Sequence, residues 1–236
     1  LMWEPRGHAD MYGAVITSSA DADFDVIFVH NEGYSTMCGH AIIALTKLVI
    51  ETRLVEKHEI TFNVPAGRIL ARASMTNGEV TGASFRNVPS FLYLCDQHVD
   101  VEGIGPVEFD VAYGGAFYAF VSAEAVGLEL TPQHVDRVID YGRRIKRAVM
   151  DQFPIKHPFE EDLSFLYGTI FTGANLLFVS TNGLITFGGG VATPLSGASR
   201  LDPGLTYIAP LWNNWTTAGA GIDRHPRLLD AGDAAD

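Results

Sequence analysis

Cysteine occurs only twice in this chain of 236 residues, as Cys38 and Cys95 in unlike contexts. That excludes a disulfide framework and makes a reducing cytoplasm the expected compartment. Basic residues are scarce as well: 16 Lys and Arg face 28 Asp and Glu, leaving a net charge of −12. Such an acidic balance speaks against nucleic acid as a partner. No apolar run reaches the about 18 residues of a membrane-spanning helix, and the start lacks the pattern of a signal peptide. Internal repeats, low-complexity tracts, metal-ligand clusters and phosphate loops are absent too. What remains is a chain 47% hydrophobic, long enough for one large or two small domains.

The most informative segment is NEGYSTMCGHAIIALTKLVIET, in which Cys38 stands where a strand gives way to a helix. Residues 41–50 are apolar apart from Thr46 and Lys47, so the helix is expected to be packed on all sides. A cysteine in the first turn meets N–H groups without helical partners and the positive end of the helix dipole. Both favour thiolate, and in such settings a thiol pKa of about 8.5 falls to roughly 4–7. Gly39 lets a ligand approach the backbone, and its N–H with that of His40 suits an anion such as a carboxylate. Position alone leaves a second reading open, in which Cys38 is a small buried hydrophobe. Cys95, in FLYLCDQHVD, has no glycine or helix start beside it and reads as packing.

Coarse periodicity predicts strands at residues 13–17 and 25–30, the core helix at 38–53, and short strands at 59–64, 67–75, 79–87 and 91–94. Asn77-Gly78 marks a tight hairpin, and residues 107–113 and 116–122 pair around Gly114-Gly115. Thr131-Pro132 is a helix start, after which Val135, Val138, Ile145 and Val149 recur at helical spacing to about residue 153. Arg143, Arg144, Lys146 and Arg147 read as its solvated face. Many short strands around a buried helix give an α+β fold.

Four blocks, LMWEPRGHADMYGAVI, NEGYSTMCGHAIIAL, DVAYGGAFYAFV and HPFEEDLSFLYGTIFTG, closely resemble successive blocks of the proline racemase superfamily. The Tyr34-Ser35-Thr36 lead-in, Ala41 after Gly39-His40, and DLSFLYGT look most like the trans-3-hydroxy-L-proline dehydratases. The resemblance implies a curved β-sheet wrapped around a central helix, as in a diaminopimelate epimerase-like half, over residues 1–173. It implies Cys38 as the base that moves the α-proton without any cofactor or metal, and Gly39 and His40 as binders of the substrate carboxylate. The implied reaction is dehydration of trans-3-hydroxy-L-proline to pyrroline-2-carboxylate. Proline racemisation, hydroxyproline epimerisation and an inactive remnant fused to a binding module are the alternatives. In the family a second half follows a block like FLYGTIFTG and brings an Asp-Arg-Ser-Pro stretch with the second Cys or Thr. Neither is found here, nor is the His-Thr-Gly-Gly-Glu block that normally precedes the first match. Turnover by these residues alone is therefore expected to be weak. The expected partner is hydroxyproline or proline, with a homodimer left open.

Residues 174–236 form a second expected region, a β-rich tail with a fraying end. NLLFVSTNGLITFGGG reads as a hairpin turning at Thr181-Asn182-Gly183. With YIAPLWNNWTT it resembles part of a nidogen-type extracellular β module over residues 175–217, which makes secretion the alternative compartment. Asn214-Trp215-Thr216 fits a glycosylation sequon. Elsewhere, Arg6, His8 and Asp10 read as turn or pocket residues. His157-Pro158 reads as a turn, and Glu160, Glu161 and Asp162 as an acidic cap.

Overall fold

A computed structural model of the chain describes residues 5–7, 11–30, 33–173, 176–181 and 184–189. It has two compact units, Leu1–Val88 and Pro89–Asp236. His8, Asp10, the glycosylation sequon and the stretch from 190 onward lie outside the described residues.

In the first unit, strand β1 (Tyr12–Ser18) turns back into β2 (Phe24–His30), and the short β3 (Gly33–Ser35) pairs with the end of β2. Helix α1 (Gly39–Glu51) follows, then β4 (Glu59–Val64), β5 (Gly67–Thr76) and β6 (Glu79–Arg86). The sheet runs β1-β2-β4-β5-β6. β2 and β4 are its parallel pair, and α1 is the crossover that parallel neighbours require. Asn77 (φ 53°) and Gly78 (φ 85°) both take the left-handed conformation that a two-residue hairpin demands, as the Asn-Gly signal predicts.

The helix corrects one expectation. α1 is not packed on all sides: Ile42, Leu45, Thr46 and Val49 are buried, while Ala44, Lys47 and Leu48 face outward. Thr46, one of the two polar residues of the helix, is fully buried because its hydroxyl donates to the Ile42 carbonyl at 2.7 Å and so carries no unmet polarity inward. Lys47 instead spans outward to Glu51 and to the Val80 carbonyl. α1 packs against β5 and β6, and the alternating inward residues of β2, β4 and β5, Phe28, Ile60, Phe62, Ile69 and Ala71, have no exposure.

The second unit repeats the plan. Strands β7 (Phe91–Val101), β8 (Gly105–Tyr113) and β9 (Phe117–Ser122) form a meander, and α2 (Val135–Gln152) carries the chain over to β10 (Leu166–Thr172), parallel to β9. β11 (Leu176–Thr181) and β12 (Leu184–Gly189) then extend the sheet antiparallel from β10, as the two expected runs require, while Asn182 and Gly183 of the expected turn lie outside the described residues. The α2 positions Val138, Ile145 and Val149 are buried as their spacing predicts. Gly142 is buried beside them, with Thr169 donating to its carbonyl at 3.0 Å. Pro132 opens a short 3-10 turn ahead of α2 rather than its first helical turn.

β7 is longer than expected. Two register shifts, between Leu92 and Leu94 and between Leu94 and Gln97, break the alternation that would have revealed it. Gly114 and Gly115 make the β8–β9 turn, with Gly115 at φ 107°. Phe91, Tyr93, Tyr113, Phe117 and His157 form an aromatic cluster, with the centroids of neighbouring rings 4.8 to 6.2 Å apart. His157 is thus more than a turn residue: its Nδ1 accepts the Glu160 N–H at 3.0 Å while its ring packs on Tyr113. The Tyr113 hydroxyl is buried with no hydrogen-bond partner among the described residues, and burial pushes its pKa up to about 12.

Candidate active site

Cys38 is the residue before α1, with extended backbone (φ −143°, ψ 101°), and its carbonyl accepts the first helical bond from Ile42 at 3.1 Å. The lead-in is fixed from both sides. Ser35 donates to the Met37 carbonyl at 3.0 Å, and the Thr36 carbonyl accepts the Ala66 N–H at 3.0 Å. Ser35 and Thr36 are both buried. The thiol is thereby delivered to the first turn of α1, where the helix offers its own N–H groups no carbonyl partners.

Gly39 and His40 sit directly after it, as the sequence places them. Gly39 is buried; His40 is half-buried with Nδ1 3.4 Å from Cys38 Sγ. Two residues that sequence reasoning missed complete the surroundings. Antiparallel register sets Tyr12 of β1 opposite His30 of β2, their rings stacked at 5.8 Å, and the Tyr12 ring also lies 5.5 Å from His40.

The ionisation of Cys38 runs against expectation. Burial, which leaves the residue 7% exposed, pushes the thiol up to about 11. The Ala41 N–H, the Tyr12 hydroxyl and the His40 N–H pull it down and lose to desolvation. A helix terminus is visible in the local sequence; the cost of removing a thiolate from water is not. Chemically, the site is a dry thiol with neutral donors around it.

Cys95 also differs from its reading as simple packing. It lies half-buried within the second register shift of β7, between Leu94 and Gln97, and its thiol donates to Asp96 at 3.3 Å. The Asp96 carboxylate first, then burial and Asp110, push it up to about 11. Cys95, Asp96 and Asp110 have ligand atoms within 4.8 Å of one another, the one group among the described residues close enough to share an ion. Protein groups already engage them, since Asp110 accepts the Asp96 N–H at 2.8 Å. Arg6, Glu160, Glu161 and Asp162 are exposed. No helix among the described residues is long and apolar enough to cross a membrane.

A family model described as proline racemase matches residues 1–183. The chain belongs to the proline racemase family. It is 54% identical over 177 residues to the trans-3-hydroxy-L-proline dehydratase of Colwellia psychrerythraea, a match covering 72% of this chain and 50% of that protein. It is 45% identical over 182 residues to the trans-3-hydroxy-L-proline dehydratase of Homo sapiens, covering 73% and 51%. The chain spans about half the length of the curated relatives it matches. A crystal structure of a hydroxyproline epimerase from Agrobacterium vitis, with bound trans-4-hydroxy-L-proline, superposes with a TM-score of 0.71 at 24% identity, covering 76% of this chain and 56% of that one. The likeness shows a common fold, and with it the expected α+β, proline-racemase-like architecture. The resemblance of residues 175–217 to an extracellular β module gains no support from these comparisons. Beyond the backbone of β11 and β12, that stretch lies outside the described residues.

Proposed function

We propose that this chain carries the thiol half of a hydro-lyase that dehydrates trans-3-hydroxy-L-proline to pyrroline-2-carboxylate without a cofactor. The observation that carries the reading is identity: the relatives at 54% and 45% bear that activity in their names, and the proline racemase family model spans the Cys38 segment. Cys38 is the base for the α-proton; the N–H groups of Gly39 and His40 receive the substrate carboxylate at the start of α1. The thiolate takes the proton from the α-carbon, the electron pair moves toward the β-carbon, and the 3-hydroxyl leaves, becoming water with one proton. The enamine then tautomerises to the imine.

A thiol held at about 11 is ionised in only about one molecule in ten thousand at neutral pH. A zwitterionic amino acid alters that balance, because its ammonium sets a positive charge beside a desolvated sulfur and so favours thiolate. Substrate binding and activation of the base are then one event.

The test is a chimera in which residues 1–183 replace the matching segment of the Colwellia psychrerythraea relative. It should form pyrroline-2-carboxylate from trans-3-hydroxy-L-proline and keep doing so after treatment with a chelator. Activity abolished by the chelator, or L-proline racemised faster than the hydroxyproline is dehydrated, would contradict the reading.

A further inference from the structure

Three elements converge on the Cys38 sulfur, and one of the side chains they bring has no role in the reading above. Tyr12 opens β1, and the β1–β2 register fixes it opposite His30, where the two rings stack at 5.8 Å and 28°. Its ring meets His40 at 5.5 Å and 58°. His40 in turn has Nδ1 3.4 Å from the sulfur. Ring packing thus brings the Tyr12 phenol beside the Cys38–His40 pair, and its hydroxyl acts on the thiol in the direction that favours the thiolate. A phenol in this position can donate to an anionic sulfur, and in a buried place such a charge-assisted bond is stronger than in water.

We infer that Tyr12 is a positioning residue for Cys38: its hydroxyl holds and stabilises the thiolate, and its ring, braced on His30 and His40, sets the direction in which the sulfur points. The inference rests on the reading of Cys38 as the base, and it assigns the hydroxyl a task that ring packing alone does not require. Among the described residues, the titratable groups around the sulfur are His40 from α1 and Tyr12 from β1, with His30 of β2 touching the Tyr12 ring. Among the described residues, the neutral donors Ala41 N–H, Tyr12 hydroxyl and His40 N–H oppose the effect of burial on the thiol.

The experiment reads the thiol itself and does not depend on turnover. In the 236-residue chain carrying Cys95→Ser, the rate of Cys38 alkylation by iodoacetamide is followed from about pH 7 to about pH 12, with and without Tyr12→Phe. Removing the hydroxyl while keeping the ring should move the midpoint of the profile upward. At a fixed pH below both midpoints, alkylation should slow about tenfold, the size of one charge-assisted hydrogen bond. The melting temperature should stay close to that of the parent. Superimposable profiles overturn the assignment. So does a slowing that does not shrink as pH rises through the parent's midpoint near 11, which would mean altered access. So does a Tyr12→Phe chain that fails to fold, which would make the hydroxyl structural. Loss of dehydration in the chimera with an intact Tyr12 effect would instead sink the proposed function and leave this inference standing.

Discussion

Replacing Ile42 by alanine removes a fully buried side chain one turn after Cys38, and the consequence can be worked from the structure. Ile42 has no exposed surface, and its neighbours Leu45 and Val49 lie along the same buried face of α1. Three carbons leave the core. At about 0.8 kcal/mol each, their transfer alone costs roughly 2.4 kcal/mol, and the cavity left behind raises this to about 3–4 kcal/mol. A unit the size of Leu1–Val88 shifts its melting midpoint by about 4–8 °C per kcal/mol, so the variant should melt at least about 12 °C lower. Leu48→Ala is the matched control, on the same helix but 48% exposed, and should change stability by less than about 0.5 kcal/mol. Urea unfolding followed by far-UV circular dichroism gives both values. A cost below about 1 kcal/mol for Ile42→Ala, or an equal cost for Leu48→Ala, would refute the assignment of the buried face.

Phe117→Ala should be costly in the second unit, by about 3–5 kcal/mol, because Phe117 is fully buried against Phe91, Tyr93, Tyr113 and His157; near-UV circular dichroism of the aromatic cluster should follow the loss. Asp23 sets the sign of an acid effect. Burial raises its carboxyl, but the Lys57 ammonium and the Thr61 N–H and hydroxyl together hold it below its ordinary value of 3.8. A depressed folded pKa contributes stability above the unfolded value and loses it as pH falls through the folded one. Melting temperatures of the parent and Asp23→Asn should therefore converge in acid and separate near neutrality, and a constant gap would argue against it. At neutral pH iodoacetamide should label the half-buried Cys95 before the buried Cys38, since both thiols are pushed up to about 11; Cys38 first would mean that the start of α1 outweighs burial after all.

The site was legible wherever chemistry follows local sequence, and illegible wherever it depends on what lies across a strand or in the core. Cys38, Gly39 and His40 at a helix start could be read from a single run, because a strand ending and an apolar helix beginning are both short-range patterns. Tyr12 and His30 were within reach. Strands at residues 13–17 and 25–30 about a central turn imply a register that pairs positions 12 and 30, yet that register was not drawn. The direction of the thiol's ionisation was not legible, since a helix terminus is written in the local sequence and desolvation is not. The outward face of α1 was missed for the same reason: the apolar character of Ala44 and Leu48 was visible, their exposure was not. β7 was cut short because its register shifts break period-two alternation at Cys95 and Asp96. The common plan of the two units, a helix bridging parallel neighbours β2–β4 and β9–β10, left no repeat in the residues, since many apolar sequences satisfy the same topology.

The most direct test of Cys38 as the base follows the α-proton itself. In the chimera carrying residues 1–183, trans-3-hydroxy-L-proline deuterated at the α-carbon should be dehydrated more slowly than the unlabelled substrate, and Cys38→Ser should abolish both reactions while leaving the fold intact. Dehydration that persists in Cys38→Ser at a rate near that of the parent would show that another group takes the proton.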